Sequence, residues 1–153
     1  MIYHEENLNL FLVDRSYCLA HCISADFTLG AGIAKEFDKR FDLRSKLFEQ
    51  FPNGFYEYLD RYNILGECIF IQPDNIFNLV TKRNYYDKPT YESMKQALNM
   101  MSRVIQAFNI NKIAMPTIGC GLDKLEWPKV RDIIIDKFNR YDNLEILVCK
   151  YDK

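Results

Sequence analysis

The chain has 153 residues, 48% hydrophobic and 27% charged, enough to bury about two-thirds of its unfolded surface in one domain, residues 1–153, without a disulfide or metal staple. Its formal net charge of −1 offers no general attraction to a polyanion, which excludes a protein built to grip long nucleic acid but leaves room for a single modified nucleotide as substrate. No stretch approaches a membrane span, and Met1–Glu6 carries neither a basic segment nor an apolar leader core, so the chain is expected in the cytoplasm and away from membranes.

In chain order, Leu8–Val13 reads as an early strand or its end, and Asp14-Arg-Ser16 as a polar turn. Tyr17–Ile23 is almost continuously apolar, the pattern of a strand covered on both faces. Within it, His21 has the chemistry of a site residue but also of a hydrogen-bonded core histidine, and it has no evident partner in the sequence. The strand runs into a loop, Ser24–Ala34, with Gly30 and Gly32, and then into one helix carrying Ile33, Phe37, Phe41 and Leu47. Gly30-Ala-Gly32 matches a dinucleotide fingerprint only in part, because Lys35 stands where the third glycine belongs.

Phe51–Gly66 is rich in aromatic residues and fits either a helical insertion or an irregular surface loop. Glu67–Gln72 and Asn75–Thr81 form a hairpin around Pro73-Asp74, and its second strand delivers Lys82 to its end. After a polar loop, Pro89 opens a helix whose apolar positions Met94, Ala97, Leu98, Met101, Ile105 and Phe108 follow helical spacing; the methionines read as core filling. Lys112–Pro116 is a strand, Val130, Ile133, Ile134 and Phe138 mark the inner face of the last helix, and Leu144–Cys149 closes the sheet. The order is α/β with helices flanking a sheet. Cys18, Cys22, Cys68, Cys120 and Cys149 are odd in number and form no CxxC pair, which fits free thiols in a reducing compartment and, with only two histidines, no structural zinc.

Chemistry concentrates in Ala114–Pro128, where an apolar run breaks into a glycine loop and then a helix with Pro128 in its first turn. Gly119 and Gly121 can take positive φ and bring backbone N–H groups up to an anion. Asp123 follows as a carboxylate beside that cradle, either a catalytic group or a turn or capping residue. Two glycine loops at strand ends suggest a cleft that holds a diphosphate, hence a nucleotide-like ligand. Lys82 and Asp123, each just past a strand, could then supply an amine nucleophile and a carboxylate acid/base; the plainer reading of Lys82 is a phosphate counter-charge or a solvated lysine.

Leu19–Ser24, Gly30–Ala34, Leu79–Lys82, Lys88–Glu92 and Met115–Asp123 together resemble the macrodomain family over nearly the whole chain, specifically its terminal ADP-ribose protein glycohydrolase (O-acetyl-ADP-ribose deacetylase) branch. The resemblance implies a three-layer α/β/α macrodomain with a central mixed, mostly parallel sheet. It implies a hydrolase that binds ADP-ribose and removes it from acidic protein side chains, O-acetyl-ADP-ribose or ADP-ribosylated DNA bases, with no cofactor or metal and as a monomer. Lys82 would attack the anomeric carbon of the distal ribose and form a Schiff-base-type intermediate, with Asp123 assisting proton transfer. Ser24, Gly30, Gly32, Ile33 and Ala34 would line one side of the diphosphate and distal ribose. Thr117, Ile118, Gly119, Cys120, Gly121 and Leu122 would line the other, Cys120 as a binding residue, since no base is apparent to activate its thiol.

Two features depart from the family. Asn9 stands where an aspartate usually accepts a hydrogen bond from the adenine amino group, so it would accept without charge. The segment 42–65 is also longer than usual. A non-catalytic ADP-ribose reader and a phosphatase acting on ADP-ribose 1″-phosphate are the competing functions.

Overall fold

The computed structural model describes residues 1–150; the last three residues of the expected domain, 151–153, lie outside the described part. Six strands, β1 (Ile2–Glu6), β2 (Cys18–Ser24), β3 (Glu67–Ile71), β4 (Ile76–Lys82), β5 (Lys112–Met115) and β6 (Glu145–Cys149), form one sheet in the order β1-β6-β5-β2-β4-β3. Every neighbouring pair is parallel except β3 with β4, the expected hairpin. The C-terminal ends of β2, β4 and β5 therefore share one crest, with β2 in the middle.

Strand residues alternate between two cores, as the period of two demands. Leu19, Ile23, Ile76, Val80 and Ala114 pack on one side with α1 (Gly32–Phe41), α2 (Leu43–Gln50) and α3 (Tyr56–Arg61). Ala20, Phe77, Leu79, Ile113 and Met115 pack on the other with α4 (Tyr91–Phe108) and α5 (Trp127–Phe138). The result is the three-layer α/β/α sandwich expected, with a mixed, mostly parallel sheet. Among the described residues no helix is long and apolar enough to cross a membrane, and no cluster of His, Cys, Asp and Glu could hold a metal ion.

Several local expectations change. Leu8–Val13 is not a strand: Leu10–Leu12 is a 3-10 turn, started by the Asn9 carboxamide accepting the Phe11 N–H at 2.9 Å. The first strand is instead Ile2–Glu6, a half-exposed edge whose sequence carries no apolar run. The single helix expected from Ile33 to Leu47 breaks at Asp42, which takes φ 51°, while Asp38 accepts the Arg44 N–H at 2.9 Å and so starts α2. Residues 51–66 combine both readings, with the short α3 set between irregular ends. Pro89 lies just outside α4, which begins after Thr90 with a reciprocal Thr90–Ser93 capping box. Phe108 ends that helix 53% exposed and is not a core position.

His21 is fully buried, its ring stacked on Phe37 at 3.9 Å, and Nε2 lies 2.6 Å from Asn78 Oδ1. Asn78 Nδ2 donates to the carbonyls of Ile69 and Ile76, so Oδ1 faces the ring, Nε2 carries the proton, and Nδ1 is left as a bare, unpartnered acceptor. Burial lowers the pKa to about 4 from an ordinary 6.5, the Asn78 hydrogen bond pulling the other way. Below pH 6.5 the unfolded chain takes up a proton that the folded chain refuses until about pH 4. Stability is thus expected to fall as pH drops across that window, this residue contributing up to about 3 kcal/mol of loss. Denaturant titrations from pH 7 to pH 4 on wild type and His21→Met check this: the part of the slope owed to His21 must vanish in the variant.

Candidate active site

The first wall of the site grows out of β2. After Ser24 the chain turns through residues 25–31, and Asp26 organises the turn: its carboxylate accepts from Ser24 Oγ, from the Thr28 N–H at 3.1 Å and from the Tyr85 N–H at 2.9 Å. Phe27 and Leu29 sit at positive φ, 54° and 42°, and both are buried, so core packing holds a backbone that side chains otherwise avoid. Ala31 caps α1 with no side-chain acceptor, and Gly32 follows at φ 58°. The first N–H groups of α1 therefore have no partner within the helix, and Gly32, Ile33 and Ala34 of this first turn line the cavity, an arrangement suited to anions.

The opposite wall is the loop 116–126 after β5. Gly119 takes φ 73°, and its carbonyl accepts the Leu125 N–H at 2.8 Å. A Cβ there would stand 2.8 Å from Met94 Cε and 3.0 Å from Leu125 Cδ1, both ends of flexible side chains, so it is the positive φ that calls for glycine. Gly121 stays out of the positive-φ region. The helix after this loop also differs from expectation: α5 starts only at Trp127, with Pro128 in its first turn, and does not line the cavity. The helix N-terminus at the site is that of α1.

Between these walls lies a cavity of about 640 Å³. Lys82 ends β4 and pairs in register with Ser24, beyond a shift at which Thr81 of β4 is the extra residue. Its Nζ donates to Asp123 Oδ1 at 2.6 Å, with side chains only 14% and 16% exposed. Two residues 41 apart in sequence thus meet in one wall. Ser24, Gly30, Gly32, Ile33 and Ala34 line one side, and Thr117, Ile118, Gly119, Gly121 and Leu122 line the other. Asn9 and Cys120 do not line it: Asn9 is occupied in its turn, and Cys120 Sγ points to the Ile118 carbonyl at 3.3 Å.

Burial, then the Asp123 charge, raise the Cys120 thiol to about 11, and the same two causes in the same order push Cys22 further up. Neither thiol is poised as a nucleophile. Sequence reasoning did not name Thr28, Leu29 and Tyr85 as lining residues, nor Cys22, Ile23, Ala31 and Pro116, which lay inside motifs already singled out, as did Lys88. Its Nζ donates to the Leu122 carbonyl at 2.8 Å.

A parallel crest with a helix N-terminus on one side, a glycine loop on the other and a lysine–carboxylate pair between them defines an α/β/α protein with a nucleotide-sized site. No family model matches the chain. It is 35% identical over 136 residues to ADP-ribose glycohydrolase OARD1 of Homo sapiens, an alignment covering 88% of this chain and 82% of that protein. It is 23% identical over 130 residues to the DNA ADP-ribosyl glycohydrolase of Thermus aquaticus, covering 85% of this chain and 36% of that one. The macrodomain of Mycobacterium tuberculosis DarG matches the fold with a TM-score of 0.76 at 22% identity, over 99% of this chain and 98% of that chain. The chain belongs to the macrodomain family, in its terminal ADP-ribose glycohydrolase branch.

Proposed function

We propose that this chain, acting as a monomeric single domain, binds ADP-ribose and hydrolyses the bond from its distal ribose to an acidic protein side chain or a DNA base, and cleaves O-acetyl-ADP-ribose. The observation that carries this reading is the Lys82–Asp123 contact, 2.6 Å long, in the wall of a cavity bounded by the free N-terminus of α1. The N–H groups of α1 and of the 116–126 loop hold the diphosphate, which directs the distal ribose to Lys82.

Asp123 takes a proton from the Lys82 ammonium, and the freed amine attacks the anomeric carbon. The new C–N bond forms as the bond to the acceptor breaks, its electron pair leaving on the acceptor oxygen or nitrogen. The secondary ammonium gives a proton to the departing acceptor, and its freed lone pair then expels the ring oxygen, which takes up the proton held on Asp123, giving a protonated Schiff base and restoring the carboxylate. Water adds to the imine carbon with loss of a proton to Asp123, and collapse of the adduct returns the lysine amine and releases ADP-ribose.

Incubating the purified protein with ADP-ribosyl-glutamate peptide, ADP-ribosyl-thymidine DNA and O-acetyl-ADP-ribose tests the reading; free ADP-ribose is the expected product. Tight ADP-ribose binding without release from any of them would identify a reader, and phosphate release confined to ADP-ribose 1″-phosphate would identify a phosphatase. The rim supplies a second measurement. Tyr85 lines the cavity 62% exposed, its backbone held by Asp26, and Tyr86 packs edge-on against it at 5.3 Å. Stacking on an exposed ring contributes about 1–3 kcal/mol per base. Tyr85→Ala is expected to cut kcat/KM about tenfold on the DNA substrate and to leave ADP-ribosyl-glutamate within about twofold. Equal losses on both would show that the ring does not read the base.

A further inference from the structure

Resting on the reading above, we propose that Lys88 and Tyr91 are positioning residues, which clamp the loop carrying Asp123 so that its carboxylate stays on Lys82. Three contacts from the start of α4 and the residues just before it reach that loop. Lys88 Nζ holds the Leu122 carbonyl at 2.8 Å, the peptide unit that leads directly into Asp123. Tyr91 Oη accepts the Glu126 N–H at 3.0 Å, fixing the far end of the loop. Met94 Cε packs against Gly119 at the near end. Residues 91 and 94, three apart on a helix, share one face.

The clamp is itself anchored to the strand that carries the nucleophile. Between Lys82 and Lys88 the chain is folded into a turn: Asp87 Oδ2 accepts from the Asn84 N–H at 3.0 Å and from Asn84 Nδ2 at 3.1 Å, and the Asp87 N–H returns to the Asn84 carbonyl at 3.0 Å. Buried Pro89 and the Thr90–Ser93 capping box then lock the start of α4. A short, internally bonded connection thus links β4, which presents Lys82, to the side chains that hold Asp123. The two groups are set against each other by α4 and not only by their own ion pair.

The test uses Lys88→Met, Lys88→Arg and Tyr91→Phe in the full chain. Lys88→Met is expected to lower kcat about tenfold with KM within about twofold, Tyr91→Phe to lower kcat about threefold, and Lys88→Arg, which keeps a donor of similar reach, to recover most of the loss. Amide hydrogen exchange should speed up at residues 119–123 in Lys88→Met and stay unchanged in β2. A rise in KM at constant kcat would make Lys88 a substrate-binding group, and unchanged kinetics with unchanged exchange would leave no clamp; either result overturns the proposal. If the wild-type protein releases ADP-ribose from no substrate, the functional reading fails, and the clamp is then decided by the exchange rates alone.

Discussion

Lys82→Ala is expected to lower ADP-ribose release by about three orders of magnitude or more while leaving affinity for free ADP-ribose within severalfold. The proposed route forms a bond to Nζ, so its loss removes the step itself, whereas the proposed diphosphate cradle of backbone N–H groups on α1 and the 116–126 loop is left intact by the change. Asp123→Asn should cost about two to four orders of magnitude, because the amide cannot take the ammonium proton. The double variant should be little worse than Lys82→Ala alone, since the two side chains serve one step. Lys82→Arg separates nucleophile from counter-charge. A guanidinium can keep the ion pair with Asp123 and the attraction to phosphate, but it does not give up its proton near neutral pH. Inactive Lys82→Arg with retained binding supports the covalent route; turnover close to wild type in that variant would sink it.

Gly66→Ala is expected to destabilise the fold by about 3 kcal/mol or more and to abolish activity with it. A Cβ at this position would lie 2.1 Å from the Ser93 carbonyl oxygen and 3.1 Å from the Ala97 nitrogen. Both are backbone atoms of α4, so no rotamer change relieves the overlap. The contact must open by moving the helix or the entry to β3. Around it, Gln96 Oε1 accepts the Leu65 N–H at 2.7 Å and the Gly66 N–H at 3.1 Å, and these two bonds are lost in the same displacement. Because the first turn of α4 also carries Tyr91 and Met94, the shift should reach the Asp123 loop. The midpoint of denaturant unfolding measures the effect, and a variant as stable as wild type would show that strand and helix do not approach this closely.

Elements whose residues are buried by their own pattern were legible without a structure. The apolar run of β2, the β3–β4 hairpin and the spaced apolar face of α4 each state their environment locally, because a strand covered on both faces and an amphipathic helix impose periods of their own. Elements whose role depends on a neighbour were not. β1 is a half-exposed edge strand that exists because β6 offers it a parallel partner, from Ile2 opposite Glu145 to Glu6 opposite Cys149. The apolar residues Leu8–Val13 announced a strand, yet Leu10 and Phe11 serve as a plug over the first core, which a 3-10 turn delivers as well as a strand. The break between α1 and α2 turns on Asp38 choosing the Arg44 amide, a competition that composition does not reveal.

At the site the division runs along the same line. Glycines after apolar runs, a lysine at the end of β4 and an aspartate two residues after Gly121 marked the two walls and the lysine–carboxylate pair, because strand ends and glycine loops are local features. Which helix would offer its N-terminus was a tertiary matter: it is α1, next to β2 at the centre of the crest, and not α5, whose first turn lies beyond a loop that folds back on Gly119. The meeting of Lys82 with Asp123 likewise follows from β4 and β5 flanking β2, an arrangement set by long-range strand pairing and accompanied by contacts of Lys88 with Leu122 and of α4 with Glu126 and Gly119. Residue pattern decides what each segment can be, since backbone periodicity is read within a few residues; distance between segments is decided only when the whole sheet and its helices pack, since that is where the chain entropy of bringing remote residues together is overcome.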